Sequence, residues 1–402
     1  MYFLIQNIRF LSFGLTLACL SSFGQTYFIG VYRPAVVDAY GLSNSDFGLL
    51  YLIVTIGSAI GLNRLGHIID RVSLTPYSLG LVGAMAGACV LVSLSGSLWM
   101  FLIALLFVRL LGQGMLTHAA MTSMSRYFDA KRGLAVAIAG LGFPLGQAIL
   151  PATAVALMVV VDWQQTWLVF AGGLLFLAMP CVFWLLRGHR ERHTAWQSTQ
   201  SVLEQGEKAG SIQHLRRRDV IRDIRFYMML PALMAGPFWI TAVFFYAADV
   251  ATLEGLNLAE YTAFYGFYAL GSVAAPFVGG TLVDRFGGRR LMTLYPPLYA
   301  VALFIMTSGF GVPGIIASMI FLGLGAGITL PINNSIWPEL YGTKFLGEVK
   351  SLATSMSVLS TALSPLILGL LLDQNVKLDT IFFAGGVYCI GAAILVYFVS
   401  RR

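Results

Sequence analysis

The sequence predicts an all-α membrane protein of twelve transmembrane helices in two related six-helix bundles. Three observations predict it: a composition too apolar for a water-facing surface, twelve apolar blocks of spanning length, and a set of residues that recurs at one constant spacing in the two halves.

Of the 402 residues, 58% are hydrophobic and only 11% are charged, whereas soluble domains carry roughly 25% charged residues. Too few polar residues remain to coat a soluble globule of this size. The apolar residues also run together, as in FIGVYRPAVV and GAAILVYFVS, without the alternation of a half-buried strand. The first block carries no small-residue cleavage site and reads as a retained span, not a signal peptide. Cys19, Cys89, Cys181 and Cys389 lie far apart, each inside an apolar block. That spacing indicates neither a disulfide framework nor a metal site, and the thiols read as small packed hydrophobes.

A span takes about 20 predominantly apolar residues. Blocks of that length run near 10–34, 46–66, 76–95, 98–124, 133–160, 165–187, 226–250, 258–283, 291–310, 313–338, 350–372 and 378–400. Short polar turns such as LSGS and VDWQQ separate most of them. One long polar segment follows the sixth block, which divides the chain into a bundle over 1–188, a cytoplasmic linker over 189–224 and a second bundle over 225–402. The linker's LRRRDVIRDIR reads either as a basic amphipathic helix on the inner leaflet or as a solvated stretch.

Orientation follows from the cations. With the N-terminus in the cytoplasm, every Lys and Arg except Arg33, Arg109 and Lys377 falls on the cytoplasmic side, as the positive-inside rule requires. Both termini are then cytoplasmic. The net charge of +7 follows from this topology, and no nucleic-acid partner is needed to explain it.

The halves echo each other. Gly66, Asp70 and Arg71 in GHIIDR recur as Gly280, Asp284 and Arg285 in GTLVDR, and Tyr127, Gly133 and Pro151 recur as Tyr341, Gly347 and Pro365, all at the same spacing. Parallel duplication of a six-helix unit is an architecture of secondary transporters.

The stretch GGTLVDRFGGRR, between the eighth and ninth spans, resembles the cytoplasmic signature of the major facilitator superfamily, G-x-x-x-D-R-x-G-R-R, with one residue inserted around Gly287 and Gly288. The N-terminal copy GHIIDRVSLTP keeps Gly66, Asp70 and Arg71 and lacks the later Gly-Arg-Arg. A second resemblance is to the monocarboxylate-transporter and oxalate/formate-antiporter branch. It rests on SRYFDAKRGLAVAIAGLGFPLG ahead of and within span five, and on FGQTYFIGVY and GLSNSDFGLLY in spans one and two. The resemblance implies a carrier that works by alternating access, with Asp70, Arg71, Asp284 and Arg285 gating the cytoplasmic mouth. Simple anchoring at the inner face is the alternative reading of those four residues.

Arg109 poses the central question. It lies about eleven residues into span four, roughly 16 Å along a helix and so near mid-depth, where a charged side chain costs roughly 2.5–3.5 kcal/mol. On an unbroken helix Gln113, Leu116 and Ala120 share its face, and His118 lies close to the opposite one. His118 therefore reads as a packed or hydrogen-bonded histidine. The same arithmetic puts Ser22, Gln25, Thr26, Ile29 and Arg33 on one side of span one. RLLGQG matches the span-four pattern R-x-x-x-Q-G of many superfamily members. The family resemblance implies that spans one and four line the central cavity.

All 18 Asp and Glu fall in loops or near span ends, so the mid-membrane region holds fixed positive charge alone. An Arg in low dielectric must be solvated by oxygens or paired with an anion. Arg109 is therefore either structural or the partner of an anionic substrate, to which its fork is suited. The candidate binding residues are Arg109, Gln25, Arg33 and Gln113 in the first half, and Trp239, Tyr246, Tyr265, Tyr268 and Asn333 in the second. Span eight lacks the charges that the resembled branch carries there, and Lys350 sits at the cytoplasmic start of span eleven.

The expected function is secondary transport of a small organic anion of monocarboxylate type, proton-linked or by exchange. A multidrug or other small-molecule exporter is the alternative, and a sensor that has lost transport is a third. GLGFPLGQ only partly resembles the antiporter signature, because Phe143 and not Gly precedes Pro144. An enzyme is not expected, since no nucleophile–base pair lies at depth. FLGLGAGITLP in span ten reads as close helix packing. No cofactor or metal is expected, the bilayer is the surrounding partner, and the chain is expected to act as a monomer in a bacterial inner membrane.

Overall fold

The computed structural model describes residues 2–128, 131–189, 192, 217–342 and 345–401, and all their regular structure is helical. A chain this apolar must satisfy its backbone internally when it crosses lipid, and helices do so within each segment. Eleven helices among the described residues are long and apolar enough to span, from Phe3–Gly24 to Leu378–Phe398.

The remaining block, the ninth, is regular only over Tyr295–Met306, 12 residues. That helix rises about 18 Å, short of a hydrocarbon core of ~30 Å. Its first turn holds Pro296 and Pro297, a turn occupies Met292–Leu294, and one helical turn, Gly288–Leu291, precedes it. The segment is therefore helical in two pieces. Proline is tolerated in a first turn, but it supplies no N–H with which to continue the preceding one.

The first span also departs from a single helix. It starts at Tyr2, well before residue 10, and leaves α geometry after Leu20. A tight turn covers Ser21–Gly24, Gln25 is extended (φ −84°, ψ 153°), and short helices follow at Thr26–Gly30 and Arg33–Tyr40. Ser and Gly are weak helix formers, and SSFG places three of them together.

Contacts divide the chain into two compact units. Unit 1 holds residues 1–35 and 53–210, and unit 2 holds 36–52 and 211–402. In unit 1 the fifth span packs on the first through Gly142 and Gly146, where a Cβ would overlap the Leu15 carbonyl and the Ser22 hydroxyl respectively. Aromatic rings fill the space beyond: Phe28 meets Tyr32, Trp167 and Phe170 edge-on, and the Tyr32 and Thr166 hydroxyls lie 2.8 Å apart. In unit 2 Gly323, Gly325 and Gly327 of span ten press against the Tyr268 carbonyl, the Tyr299 ring and the Ser272 carbonyl. Small residues let helix backbones meet in lipid, which is the packing role expected for FLGLGAGITLP.

The eleventh helix, Leu346–Asp373, is joined to the seventh, Ile224–Phe245, by hydroxyls one turn apart. Ser360 donates to the Met234 carbonyl and Ser364 to the Phe238 carbonyl, each at 2.8 Å. Pro151 and Pro365, matched by the repeat, both lie inside long helices. Among the cysteines Cys89 and Cys389 are buried, whereas Cys181 is exposed on the helix surface. Most of the 189–224 linker lies outside the described residues. Its end is a short helix, Arg217–Arg222, after which Asp223 caps the seventh span by accepting from the Arg225 amide at 2.9 Å.

Candidate substrate and gating sites

Arg109 closes the helix Leu98–Arg109, whose start is capped by Ser97. It is fully buried, with 0% of its surface exposed. Beyond it, Leu110–Leu116 widens into π-helical turns around Gly112 and Gly114, a distortion that recurs at functional sites. The Arg109 guanidinium reaches the broken part of span one: Nη1 donates to the Gly24 carbonyl at 3.2 Å and to the Thr26 hydroxyl at 3.4 Å. The break exposes a backbone carbonyl, and the arginine satisfies it.

Two glycines make that reach possible. A Cβ on Gly24 would lie 2.5 Å from the Val108 carbonyl and the Gln113 amide, and one on Gly112 would lie 2.5 Å from the Gly24 amide. The backbones of spans one and four therefore touch at Arg109. The structure brings together Arg109, Gln113, Gly24 and Thr26, with the half-buried Gln25 between the last two. Arg33 is 5% exposed and opens the helix Arg33–Tyr40, two turns further along. His118 Nδ1 lies 3.5 Å from the Thr122 hydroxyl.

In unit 2 the predicted residues divide into separate groups. Tyr265 and Tyr268 both stand edge-on to Phe244, at 4.7 and 5.0 Å. Trp239 is buried beside Phe238 and Phe382 and fills the space left open at Gly385. Tyr246 is committed to structure, its hydroxyl donating to the Pro365 carbonyl at 2.6 Å. Asn333 is half-buried, and its Oδ1 meets no hydrogen-bond donor among the described residues. Trp239 Nε1 and the Tyr265 hydroxyl are likewise buried without a partner among them.

The four residues expected to gate are arranged differently in the two copies. Asp70 is paired with Arg126, from the end of span four, and Arg126 also donates to the Ile69 carbonyl at 3.1 Å. Arg71 is exposed. In the second copy Asp284 and Arg285 are both exposed, the arginine lying 5.2 Å over the Phe286 ring. The working carboxylate there is Glu339, at the end of span ten. It accepts from the Gly288 and Arg289 amides at 2.8 and 3.0 Å and from the Ser335 hydroxyl.

One clasp between a helix end and a loop is thus built in each copy, with opposite charge order: a basic helix end on an acidic loop in the first, an acidic helix end on a glycine-arginine loop in the second. Sequence reasoning missed Arg126 and Glu339. Their signal was position, since they stand one and two residues before the repeat-matched Tyr127 and Tyr341. The Asp70 side chain is 61% exposed, and such a pair is worth only about 0–1 kcal/mol.

The chain is similar to known carriers. It is 27% identical over 141 residues to a 3-(3-hydroxy-phenyl)propionate transporter of Escherichia coli strain K12, a match covering 35% of this chain and 34% of that one. The chain thus aligns with about a third of that relative's length. Among solved structures, a mutant peptide transporter POT superposes with a TM-score of 0.72 at 14% identity, covering 98% of this chain and 93% of the other. A POT family transporter in complex with 5-aminolevulinic acid gives 0.69 at 13% identity, covering 97% and 95%. At such identities these two share the fold. The sequence profile of the Major Facilitator Superfamily matches residues 14–294 and 254–402, and the chain belongs to that superfamily of transporters.

Proposed function

We propose that this transporter moves a small organic anion of monocarboxylate type by alternating access, with the proton travelling on or beside the substrate, or with a second anion exchanged. The observation that carries the reading is the sign of the buried charge. Among the described residues the buried charged side chains of the spans are Arg33 and Arg109, and no Asp or Glu is buried. A low-dielectric bundle with fixed positive charge attracts an anion and repels a cation. That weighs against a cationic-drug exporter. The E. coli relative named for 3-(3-hydroxy-phenyl)propionate, an aromatic monocarboxylate, supports the same class.

In this reading Arg109 works from behind the site. Its guanidinium holds Gly24 and Thr26, and so fixes the broken turn on which Gln25 is presented beside Gln113. Arg33 adds charge further along span one. Trp239, Tyr268 and Asn333 supply aromatic and amide surface from the second half, and Tyr246 braces span seven against Pro365. Asp70 with Arg71 and Asp284 with Arg285 belong to the inner gates, with Arg126 and Glu339 as their clasps. Bundles over 1–188 and 225–402, a cytoplasmic linker, cytoplasmic termini and a bacterial inner-membrane location complete the proposal.

The test is uptake into proteoliposomes of a radiolabelled panel (3-(3-hydroxyphenyl)propionate, short aliphatic monocarboxylates, an amino acid and a lipophilic cation), with and without an imposed pH gradient. Saturable carboxylate uptake supports the reading, and its response to the gradient separates proton coupling from exchange. Uptake confined to the cation overturns it.

A further inference from the structure

Within unit 1 the first helix, Tyr2–Leu20, meets the last turns of span six, Met179–Leu185. Span six stops where Gly188 turns to φ 81°, a conformation glycine adopts without strain. Its last carbonyls are claimed by the first helix. Arg9 Nη2 donates to the Trp184 carbonyl at 2.7 Å and to the Arg187 carbonyl at 3.0 Å, and its guanidinium lies 5.3 Å over the Trp184 ring. Past the turn, His189 stacks on Phe10 at 5.2 Å. Arg192 lies 4.3 Å over the same Phe10 ring and donates to Asn7 Oδ1 at 3.2 Å.

Three arginines are thus brought to one edge of the unit. Capping the end of span six accounts for one of them, and the other two do something else. Arg187 gives the cap only its backbone, and its side chain is exposed. Arg192 is spent on an uncharged amide and a ring. None of the three meets a carboxylate among the described residues, and the stretch RGHRER carries three arginines against one glutamate. Burial and the nearby Arg9 charge hold the Arg192 guanidinium below its ordinary value, as packing cations without a counter-ion does.

The surroundings of this cluster are apolar. Phe183, Trp184 and Leu177 on span six and Ile5 and Ile8 on the first helix are all exposed, and tryptophan favours the boundary between lipid and water. A soluble anion would meet the arginines and leave that wall unused. A phosphodiester carrying acyl chains uses both, because a guanidinium fork matches two phosphate oxygens and the chains lie against the apolar wall. A zwitterionic lipid offers the same phosphate but cancels its charge with its own ammonium.

We propose that this edge of unit 1 is a binding site for one anionic phospholipid, its phosphodiester held by Arg9 and Arg187 with Arg192 behind them, and its chains lying along Trp184 and Leu177. The site concerns the membrane and not the cargo, so its test needs no substrate.

The test titrates the purified full chain in detergent with phosphatidylglycerol, with phosphatidylcholine of the same chains, and with soluble glycerol phosphate. Bound lipid is counted by native mass spectrometry and stability is followed by thermal unfolding. The wild type retains one phosphatidylglycerol in preference to phosphatidylcholine and gains Tm with it. Arg187→Gln leaves the Tm without lipid unchanged and lowers the affinity for phosphatidylglycerol about fivefold, the weight of one cation at an anionic lipid surface. Arg9→Gln lowers both, and Arg9→Lys restores part of the affinity. Arg64→Gln, which removes an exposed cation at the end of span two, changes neither. Equal binding of the two lipids overturns the site. So does an equal loss in Arg64→Gln, which makes the attraction a general one, or an equal gain of Tm with glycerol phosphate, which makes the ligand a free anion.

Discussion

Replacing Arg109 by glutamine is the most informative single perturbation. The change removes a buried charge and the donors that hold the Gly24 carbonyl and the Thr26 hydroxyl at 3.2 and 3.4 Å. Hydrogen bonds inside membrane bundles average about 0.6 kcal/mol and reach about 1.7. Two bonds of this length therefore hold the broken turn by about 1–2 kcal/mol. Lost entirely, that shifts the population of the competent conformation about five- to thirty-fold. The assay is uptake of 3-(3-hydroxyphenyl)propionate into proteoliposomes, normalised to folded protein by thermal unfolding. Arg109→Gln lowers the uptake rate within that range and lowers Tm. Arg109→Lys keeps the charge and one donor, and recovers part of both. Wild-type uptake and Tm in Arg109→Gln refute both the buttress and the electrostatic argument. Unchanged Tm with lost uptake makes the arginine a ligand in place of a brace.

Three further outcomes follow from particular contacts. Gly24→Ala sets a methyl against the Val108 carbonyl and the Gln113 amide and lowers Tm and uptake steeply, whereas Gly80→Ala, with nothing within 4 Å, leaves both at or slightly above wild type. Asp70→Asn and Arg126→Gln destabilise by similar small amounts, and the double variant by no more than either, giving a coupling of about 0.2–1 kcal/mol in thermal unfolding. Burial raises the Glu254 carboxyl above its ordinary value, so the folded chain binds its proton more tightly than the unfolded chain. Stability falls as pH rises through that range, and Glu254→Gln flattens the decline of Tm with pH.

Much of this architecture could be read from composition and spacing. Unbroken apolar blocks locate helices because lipid permits few alternatives, and the matched Gly-x-x-x-Asp-Arg copies reported the duplication. The local breaks could not be read. Face assignments in spans one and four used 100° per residue, which holds only along a continuous α-helix. Gln25 is extended, and the π turns over Leu110–Leu116 shift the phase of everything beyond Arg109. Hydropathy is insensitive to both, since SSFGQ and LLGQGML carry no charge and sit inside long apolar blocks. The clasp partners were hidden for another reason. Arg126 and Glu339 are distant in sequence from the loops they clasp, and the repeat pattern drew attention to Arg71 and Asp284, which are exposed.

The central claim is that the positive charge buried in the spans selects an anion. Its most direct test compares saturable uptake of radiolabelled 3-(3-hydroxyphenyl)propionate with uptake of its uncharged amide, in the same proteoliposomes at the same pH gradient. The account predicts that the acid is carried and that the amide is neither carried nor competes. Equal transport of the amide, or transport of cations in place of both, contradicts it.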